Sequence, residues 1–303
     1  MTRTLVTGAS GFVGVPLLAR LLATEGEVHA LGRGAAPPID GVRWHRLDMD
    51  DERALAALVR EIAPQRLAHL AWYVEHGRFW SSPENVSWVQ RSLGLLRAFG
   101  ESGGRRAVLL GTCAEYDWSA ARGPLEELGS SLAPSTLYGA AKDALRRLAD
   151  AYCREVGTEL AWARPFFFYG PRENPARLVP AVISPLLAGE PVDTTEGSQR
   201  RDFMHVEDVA GAIAALLDSS VVGPVNVASG EAVAVSEIVA RIAAAIGRPE
   251  LVRAGNLPSR DEPALLVADV RRLRDEVGYR PRWDLQSGLE DTIRWWAERV
   301  ALA

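Results

Sequence analysis

One tyrosine and one lysine are spaced so that they could act together on a substrate. Tyr138 and Lys142 are four residues apart in a strongly helical segment, so they lie one above the other on a single helix face. Lys142 is the only lysine in a chain rich in arginine. An ammonium group beside a phenol stabilises the phenolate and lowers the pKa of the tyrosine towards neutrality. Tyr138 is therefore a candidate acid or base acting on a substrate oxygen.

A third candidate group follows a predicted strand over residues 106–110. The hydroxyl group of Thr112 is suited to holding and polarising the same substrate oxygen. Cys113 comes next, but no histidine lies near it in sequence to activate a thiolate. We interpret Cys113 as a small packing residue rather than a nucleophile.

Three glycines at a three-residue spacing, Gly8, Gly11 and Gly14, lie between a predicted strand (residues 2–7) and an apolar helical stretch (residues 12–22). A strand that turns through glycines into a helix brings free N–H groups and the positive end of the helix dipole to one point. That point binds phosphate, and glycine allows the pyrophosphate to approach the main chain. The pattern predicts a dinucleotide site, with an ordinary glycine turn as the alternative.

The end of the second predicted strand, residues 27–31, bears on which dinucleotide binds. An acid there selects NAD by accepting from the ribose hydroxyls, whereas arginine receives a 2′-phosphate. The sequence has Arg33 between two glycines and no acid, which favours NADP(H), although NAD(H) remains possible and Arg33 could be a solvated surface residue. Asp48 and Met49, at the end of the third strand, are predicted to border the adenine.

Strands and helices alternate along the first half of the chain, which is typical of a parallel, doubly wound α/β sheet. After the fourth strand, residues 73–83 form a loop rich in aromatic and polar side chains, which we call the aromatic loop. Ligands bind at this edge of open α/β sheets. The loop therefore contacts a ligand or packs as a lid without specific contacts, and the sequence does not rank its residues.

Composition narrows the class of protein. The 303 residues are 48% hydrophobic and 24% charged, as in soluble globular proteins, and two cysteines are too few for a disulfide framework. A net charge of −5 argues against a nucleic-acid or anionic-membrane partner. With no apolar run long enough to span a bilayer and no signal-like start, we expect a cytoplasmic protein.

Together these motifs resemble the extended short-chain dehydrogenase/reductases, in their nucleotide-sugar epimerase/dehydratase branch. Residues 164–171 (RPFFFYGP) and 199–209 (QRRDFMHVEDV) are also similar to segments of that family, as is the C-terminal end from residue 279. The resemblance implies a Rossmann-like domain of residues 1–171 and 205–228. It also implies a smaller C-terminal substrate-binding lobe of residues 172–204 and 229–303.

The resemblance implies hydride chemistry on a nucleotide-diphosphate sugar, with Thr112, Tyr138 and Lys142 at the catalytic positions. No metal site is predicted. The implied cofactor contacts are Gly8, Ser10, Gly11, Phe12, Val13, Gly14, Arg33, Asp48, Met49, Leu70, Ala71, Tyr138, Lys142 and Pro165. The implied substrate contacts are Thr112, Cys113, Asn174, Arg177, Leu178, Arg201 and Arg260, of which the two last match arginines that hold the diphosphate. Solvated surface arginines are the alternative for that pair.

Two departures from the family pattern narrow the reaction. Cys113 and Ala114 stand where dehydratases of the family carry an Asp-Glu pair, so dehydration is disfavoured. Phe167 stands where many members carry asparagine, which predicts a drier pocket. Because Arg33 favours NADPH, we expect reduction of a nucleotide-linked 4-keto-6-deoxyhexose at C4. A NAD-dependent 4-epimerase is the alternative, and a non-catalytic dinucleotide-binding sensor is a weaker one.

Helices predicted over residues 84–101 and 136–155 carry apolar faces, which include Leu95, Leu96, Phe99, Leu145 and Leu148. By resemblance they would pair two subunits in a four-helix bundle, so we expect a homodimer. A face buried within the chain would show the same pattern.

Overall fold

The computed structural model describes residues 2–24, 26–37, 39–258 and 262–300. Its strands are β1 (Arg3–Thr7), β2 (Glu27–Gly32), β3 (Val42–Arg46), β4 (Arg66–His69), β5 (Arg106–Leu110), β6 (Glu159–Pro165), β7 (Phe167–Tyr169), β8 (Val192–Asp193), β9 (Arg200–His205), β10 (Gly223–Val227), β11 (Ala232–Ala234), β12 (Val252–Arg253) and β13 (Leu265–Leu266). Its helices are α1 (Gly14–Leu22), α2 (Glu52–Ile62), α3 (Glu84–Glu101), α4 (Leu137–Val156), α5 (Leu178–Leu187), α6 (Val206–Asp218), α7 (Val235–Ile246) and α8 (Leu285–Val300).

Seven strands form the central sheet, in the order β10-β6-β5-β4-β1-β2-β3. Every neighbouring pair in it is parallel. The chain leaves β1 for β2 and β3 on one side, and returns to build β4, β5 and β6 on the other. The order therefore reverses between β1 and β4, where doubly wound sheets bind ligands outside the carboxyl ends of the strands. This architecture confirms the predicted Rossmann-like α/β class.

Helices cover both faces of the sheet because its strands are apolar on both sides. The α1 and α6 helices pack on one face with Leu17, Leu18 and Ile213 in the core. The α2, α3 and α4 helices pack on the other face. Within that layer, the side chains expected to pair two subunits differ in their exposure to solvent. Leu95, Leu96, Phe99 and Leu145 are buried inside the chain, and Leu148 is exposed.

A second, smaller sheet pairs β11, β9 and β13, and β7 joins it through β9. It lies beside α5, α7 and α8, which enclose a separate apolar cluster around Ile183 and Ile242. Asp202 on β9 ties this part together: its carboxylate accepts hydrogen bonds from the backbone of Ser229, Gly230 and Ala268. The division into two lobes at the residue boundaries given above stays a prediction.

An ion pair is fully buried where β5 and β6 end. The side chains of Glu115 and Arg164 have no exposed area, and Arg164 Nε donates to Glu115 Oε2 at 2.7 Å. The same carboxylate accepts from Trp162 Nε1 at 2.9 Å and from the Thr112 amide at 2.8 Å. Each acceptor oxygen is therefore occupied, as a buried charge requires.

We expect Arg164→Met to lower the free energy of unfolding by about 3–5 kcal/mol, because it removes the 2.7 Å partner of the buried Glu115 carboxylate and leaves it with the more distant Arg146, at 4.0 Å. The double variant Glu115→Gln/Arg164→Met should recover part of this loss, since a neutral amide oxygen can still accept from Trp162 and Thr112. Urea denaturation of both variants measures the difference. A double variant no more stable than Arg164→Met would show that the buried charge is not the cause.

Candidate functional site

The glycine-rich turn after β1 packs directly against the end of β4. Gly8 has a φ of +66°, and a Cβ on it would lie 2.7 Å from the amide nitrogen of Ala71. The Leu70 amide donates to the Thr7 carbonyl across the same gap, at 3.2 Å. Only glycine combines this backbone conformation with so close an approach. The glycine-rich turn therefore lies where the strand order reverses, between β1 and β4.

The rest of the turn is packed closely against its own main chain. A Cβ at Gly14 would overlap the Gly8 carbonyl, and the Gly11 amide donates to that carbonyl at 3.0 Å. Val13 is buried, Ser10 is exposed, and Phe12 stacks on Phe168 with ring centroids 5.5 Å apart. This glycine cradle at the start of α1 fits a dinucleotide pyrophosphate.

Thr112 and Tyr138 meet at the same edge of the sheet. Thr112 follows β5 and caps a short 3₁₀ turn, its hydroxyl accepting from the Ala114 amide at 3.2 Å. The α4 helix starts at its cap Thr136, whose side chain accepts from the Gly139 amide, and a Cβ at Gly139 would overlap the Ala114 carbonyl. This close packing of α4 on the turn brings the Tyr138 side chain to Thr112.

The electrostatics of Tyr138 differ from the expectation. Burial raises the pKa of Tyr138 above its ordinary value, and a hydrogen bond with the Thr112 side chain acts in the opposite direction. The predicted lowering of this pKa by Lys142 is wrong for this structure. The physical reason is desolvation: the phenol lies among Phe79 and Trp80, whose rings contact it edge-on, and these rings cannot solvate a phenolate.

The amino group of Lys142 is held inside the protein. Its Nζ atom donates to the Leu110 carbonyl at 2.6 Å and lies 3.7 Å from the ring centroid of Trp72. Burial lowers the pKa of Lys142 to about 7, with the charge of Glu115 opposing the shift. Lys142 is therefore close to half protonated near neutral pH.

A buried series of hydrogen bonds connects β1, β4 and α3 next to this region. The Thr7 hydroxyl is 2.6 Å from His69 Nδ1, and His69 Nε2 is 2.8 Å from the Ser92 hydroxyl, which donates to the Trp88 carbonyl. Burial lowers the pKa of His69 to about 3, and the charge of Lys142 acts in the same direction. His69 therefore stays neutral and ties β1 and β4 to α3.

The Arg46 side chain contacts the backbone of Arg33 at the end of β2. Arg46 Nε donates to the Arg33 carbonyl at 3.1 Å, and both side chains are exposed. The Trp44 indole lies against Gly32: a Cβ there would lie 2.8 Å from the outer carbons of its ring. Within residues 2–24, 26–37, 39–258 and 262–300, neither Arg33 nor Arg46 forms a salt bridge.

The other predicted cofactor residues line the sheet edge. Pro165 is buried at the end of β6, and Leu70 and Ala71 are partly buried after β4. Met49 packs its side chain into the core, whereas Asp48 is exposed and accepts from the Asp50 amide at 3.2 Å. Met49 could therefore reach an adenine only through its backbone.

On the substrate side, Arg201 is buried and already bound within the chain. It donates to the carbonyls of Arg200 and Pro263 and, at 3.0 Å, to Glu262 Oε2. Its guanidinium lies 5.6 Å from the ring centroid of Phe167. A diphosphate bound by Arg201 would have to compete with Glu262. Arg260, the second predicted arginine, lies outside the described residues.

The segment before α5 contains the other predicted substrate residues. Arg177 stands at the N-cap position of α5, without a side-chain capping bond, and its Nε atom pairs with Glu173 at 3.4 Å. Leu178 begins the helix and is partly buried. Asn174 is exposed and accepts from the Ala176 amide. Cys113 is buried, and burial raises the pKa of its thiol to about 12, so it has no thiolate character.

Sequence reasoning missed three residues that shape the site. Glu115 anchors the Thr112 amide, Trp44 covers Gly32, and Trp80 lies against Tyr138. The aromatic and polar composition of the aromatic loop indicated that it belongs to the site. Nothing in the spacing of its residues indicated which ring would reach the phenol.

Within the residues that the structure describes, no group of three or more His, Cys, Asp or Glu side chains is arranged to hold a metal ion. In the same part of the chain, no helix combines the length and the apolarity that crossing a membrane requires.

We expect pH to change the stability difference between the wild type and Lys142→Met. Burial places the folded-state pKa of Lys142 at about 7, below the ordinary value of 10.5, so between these values the unfolded chain binds a proton that the folded chain releases. The contribution of Lys142 to stability therefore falls as the pH drops from 10.5 towards 7. Urea denaturation at pH about 7 and about 9 measures the free energy of unfolding of both proteins. The stability of the wild type relative to Lys142→Met should be about 2 kcal/mol greater at the higher pH. A pH-independent difference would contradict the buried position of the amino group.

Comparison with known proteins supports the resemblance expected from the motifs. The model of the NAD dependent epimerase/dehydratase family matches residues 4–228. The dTDP-4-dehydro-6-deoxy-D-allose reductase of a Streptomyces species is 30% identical over 314 residues, which cover 96% of this chain and 95% of the relative.

Two solved structures show the same similarity. MoeE5 in complex with UDP-glucose and NAD is 31% identical, with a TM-score of 0.85 over 99% of this chain and 100% of its own. The dTDP-glucose 4,6-dehydratase DesIV of Streptomyces venezuelae, with NAD and TYD bound, is 25% identical, with a TM-score of 0.86 over 99% and 98%. From the family match and this shared architecture, the chain belongs to the NAD-dependent epimerase/dehydratase family.

Proposed function

We propose that this protein is an NADPH-dependent reductase of the C4 ketone of a nucleotide-linked 4-keto-6-deoxyhexose. The observation that carries the proposal is the contact of the Tyr138 and Thr112 side chains at the carboxyl edge of the central sheet, with Cys113 and Ala114 in place of a dehydratase's carboxylates. A relative of similar length is named as a reductase of such a sugar, which supports the same reaction.

Each residue has a defined part in that reaction. The cradle of Gly8, Gly11 and Gly14 would hold the dinucleotide pyrophosphate, and the reduced nicotinamide of the bound cofactor would supply the hydride for the carbonyl carbon. The Thr112 hydroxyl holds the carbonyl oxygen, and Tyr138 transfers its phenolic proton to that oxygen as negative charge develops. At neutral pH a phenol is protonated, which is the form that a reductase needs at the start.

Lys142 acts after the proton has left. The phenolate that remains on Tyr138 lies on the same helix face as the Lys142 amino group, whose pKa of about 7 allows it to gain a proton near neutral pH. A protonated Lys142 stabilises the phenolate until solvent restores its proton. We also assign Lys142 to the nicotinamide ribose, as the family resemblance implies.

We propose NADP(H) rather than NAD(H) as the cofactor. Arg33 and Arg46 lie together at the end of β2, where the 2′-phosphate of NADP would lie, and a guanidinium fork matches a phosphate group. The Trp44 ring lies against Gly32, near the position from which an acid would bind the ribose of NAD, and no acid stands there.

A second candidate function is a NAD-dependent 4-epimerase on a nucleotide sugar. The observation in its favour is the similarity to MoeE5, whose solved complex holds UDP-glucose and NAD. An epimerase oxidises and re-reduces the same carbon, so it consumes no reductant. The two functions are therefore separable by the fate of the cofactor.

We propose that the substrate lies between the two predicted lobes and that the protein forms a homodimer. Val86 on α3 and Leu148 and Val156 on α4 remain 54%, 53% and 43% exposed, and these are apolar side chains that a second subunit would cover. They are separate from the buried contacts between α3 and α4.

The reductase assay uses dTDP-4-keto-6-deoxy-D-glucose and NADPH, and it follows the loss of the NADPH absorbance band. We expect Tyr138→Phe to lower kcat by about 10²–10⁴-fold, because the alkoxide then has no positioned proton donor. Tyr152→Phe is the matched control, since this phenol is on the same helix and donates to the Arg97 carbonyl. Interconversion of UDP-hexoses without NADPH consumption would favour the epimerase instead.

Cofactor choice is tested by Arg33→Ala and Arg46→Ala. We expect each change to weaken NADPH binding by about tenfold and to leave NADH binding unchanged, because only NADPH carries the 2′-phosphate. Fluorescence titration of both cofactors measures this ratio without substrate. Arg43→Ala is the control, as Arg43 is an exposed arginine of β3 paired with Glu27. An equal loss for NADH and NADPH would argue against a 2′-phosphate site.

A further inference from the structure

The C-terminal part of the aromatic loop is held by hydrogen bonds to the start of α3. Asn85, which is fully buried at the start of α3, donates from Nδ2 to the carbonyls of Phe79 and Ser82 at 2.7 and 2.9 Å. Its Oδ1 atom accepts from Trp72 Nε1 at 2.9 Å. Trp72 is the ring that also contacts the Lys142 amino group. One amide therefore ties the loop to the candidate catalytic residues.

This anchoring brings Trp80 to the phenol. The ring centroids of Trp80 and Tyr138 are 5.7 Å apart at an interplanar angle of 89°, and the Tyr138 amide donates to the Trp80 carbonyl at 3.1 Å. Trp118 contacts Trp80 edge-on at 6.1 Å and donates from Nε1 to the Cys113 carbonyl. With these contacts made, the Trp80 side chain is still 38% exposed beside the reacting group.

A second aromatic group lies near Cys113. Phe167 packs with Phe203 at a centroid distance of 5.8 Å and belongs to the apolar cluster that contains Cys113 and Trp118. Aromatic rings therefore lie against the phenol on the side of the aromatic loop, and against the Cys113 cluster on the side of β7. The faces of such rings bind apolar parts of a ligand and offer a buried hydroxyl no acceptor.

We propose that Trp80 is a specificity-determining residue that packs against C5 and C6 of the hexose and selects a methyl group over a hydroxymethyl group at C6. The inference rests on the proposed function, because the reacting C4 must lie at Tyr138. C4 has two ring neighbours, C3 with a hydroxyl and C5 with the C6 substituent. A half-exposed indole next to the phenol favours the neighbour that is apolar, and a 6-hydroxyl facing it would lose water without gaining an acceptor.

The test is equilibrium binding of two sugar nucleotides that differ by one oxygen, dTDP-glucose and dTDP-6-deoxyglucose, in the presence of NADP⁺. Calorimetry on the wild type should show about tenfold tighter binding of the 6-deoxy compound. Trp80→Ala and Trp80→Gln should bring the ratio close to one, and Trp80→Phe should retain most of it, because phenylalanine keeps an apolar face. Trp295→Phe on α8 is the control for loss of an indole. Thermal melts check that each variant is folded.

The outcomes separate this inference from the proposed function. A ratio that stays the same in folded Trp80→Ala would overturn the role of Trp80 while leaving the reductase intact. A Trp80-dependent ratio together with no NADPH oxidation would overturn the reductase and support the specificity role. Failure of both compounds to bind would overturn the inference together with the substrate class. A change in affinity for dTDP alone would also overturn it, since Trp80 would then act on the nucleotide.

Discussion

The burial of the Lys142 amino group beneath the edge of the central sheet is the constraint on which the candidate site depends. Its contacts are the Leu110 carbonyl and the face of Trp72, and neither replaces the water that an ammonium group loses. The α4 helix must pack tightly to hold this position, and Gly139 allows it to approach the turn after β5. The same approach brings Tyr138 to Thr112.

Desolvation affects the two titratable groups in complementary ways. It raises the pKa of Tyr138 and lowers the pKa of Lys142, so both shifts favour uncharged forms near neutral pH. A protonated phenol is the acid that reduction of a ketone requires. Once the proton has left, the low dielectric of the aromatic surroundings strengthens the attraction between phenolate and ammonium.

Periodicity and strand-end rules predicted much of this molecule. The helix over residues 84–101 and the strand over residues 106–110 have the predicted bounds, because their apolar patterns are local. The pairing of Glu115 with Arg164 could not be predicted, since it joins residues far apart in the chain through sheet register. The same holds for Trp44 over Gly32. The direction of the Tyr138 pKa shift was mispredicted because helix spacing gives the distance between two charges but not their loss of water.

Isotope transfer tests the central claim most directly. The reductase reaction is run with NADPH carrying deuterium at the transferable position of the nicotinamide, and the sugar product is examined by NMR. Transfer to a carbonyl carbon held between Thr112 and Tyr138 predicts one deuterium at C4 of the product, with one NADPH oxidised for each sugar reduced. A product with no deuterium at C4, or one formed without net oxidation of NADPH, would contradict it.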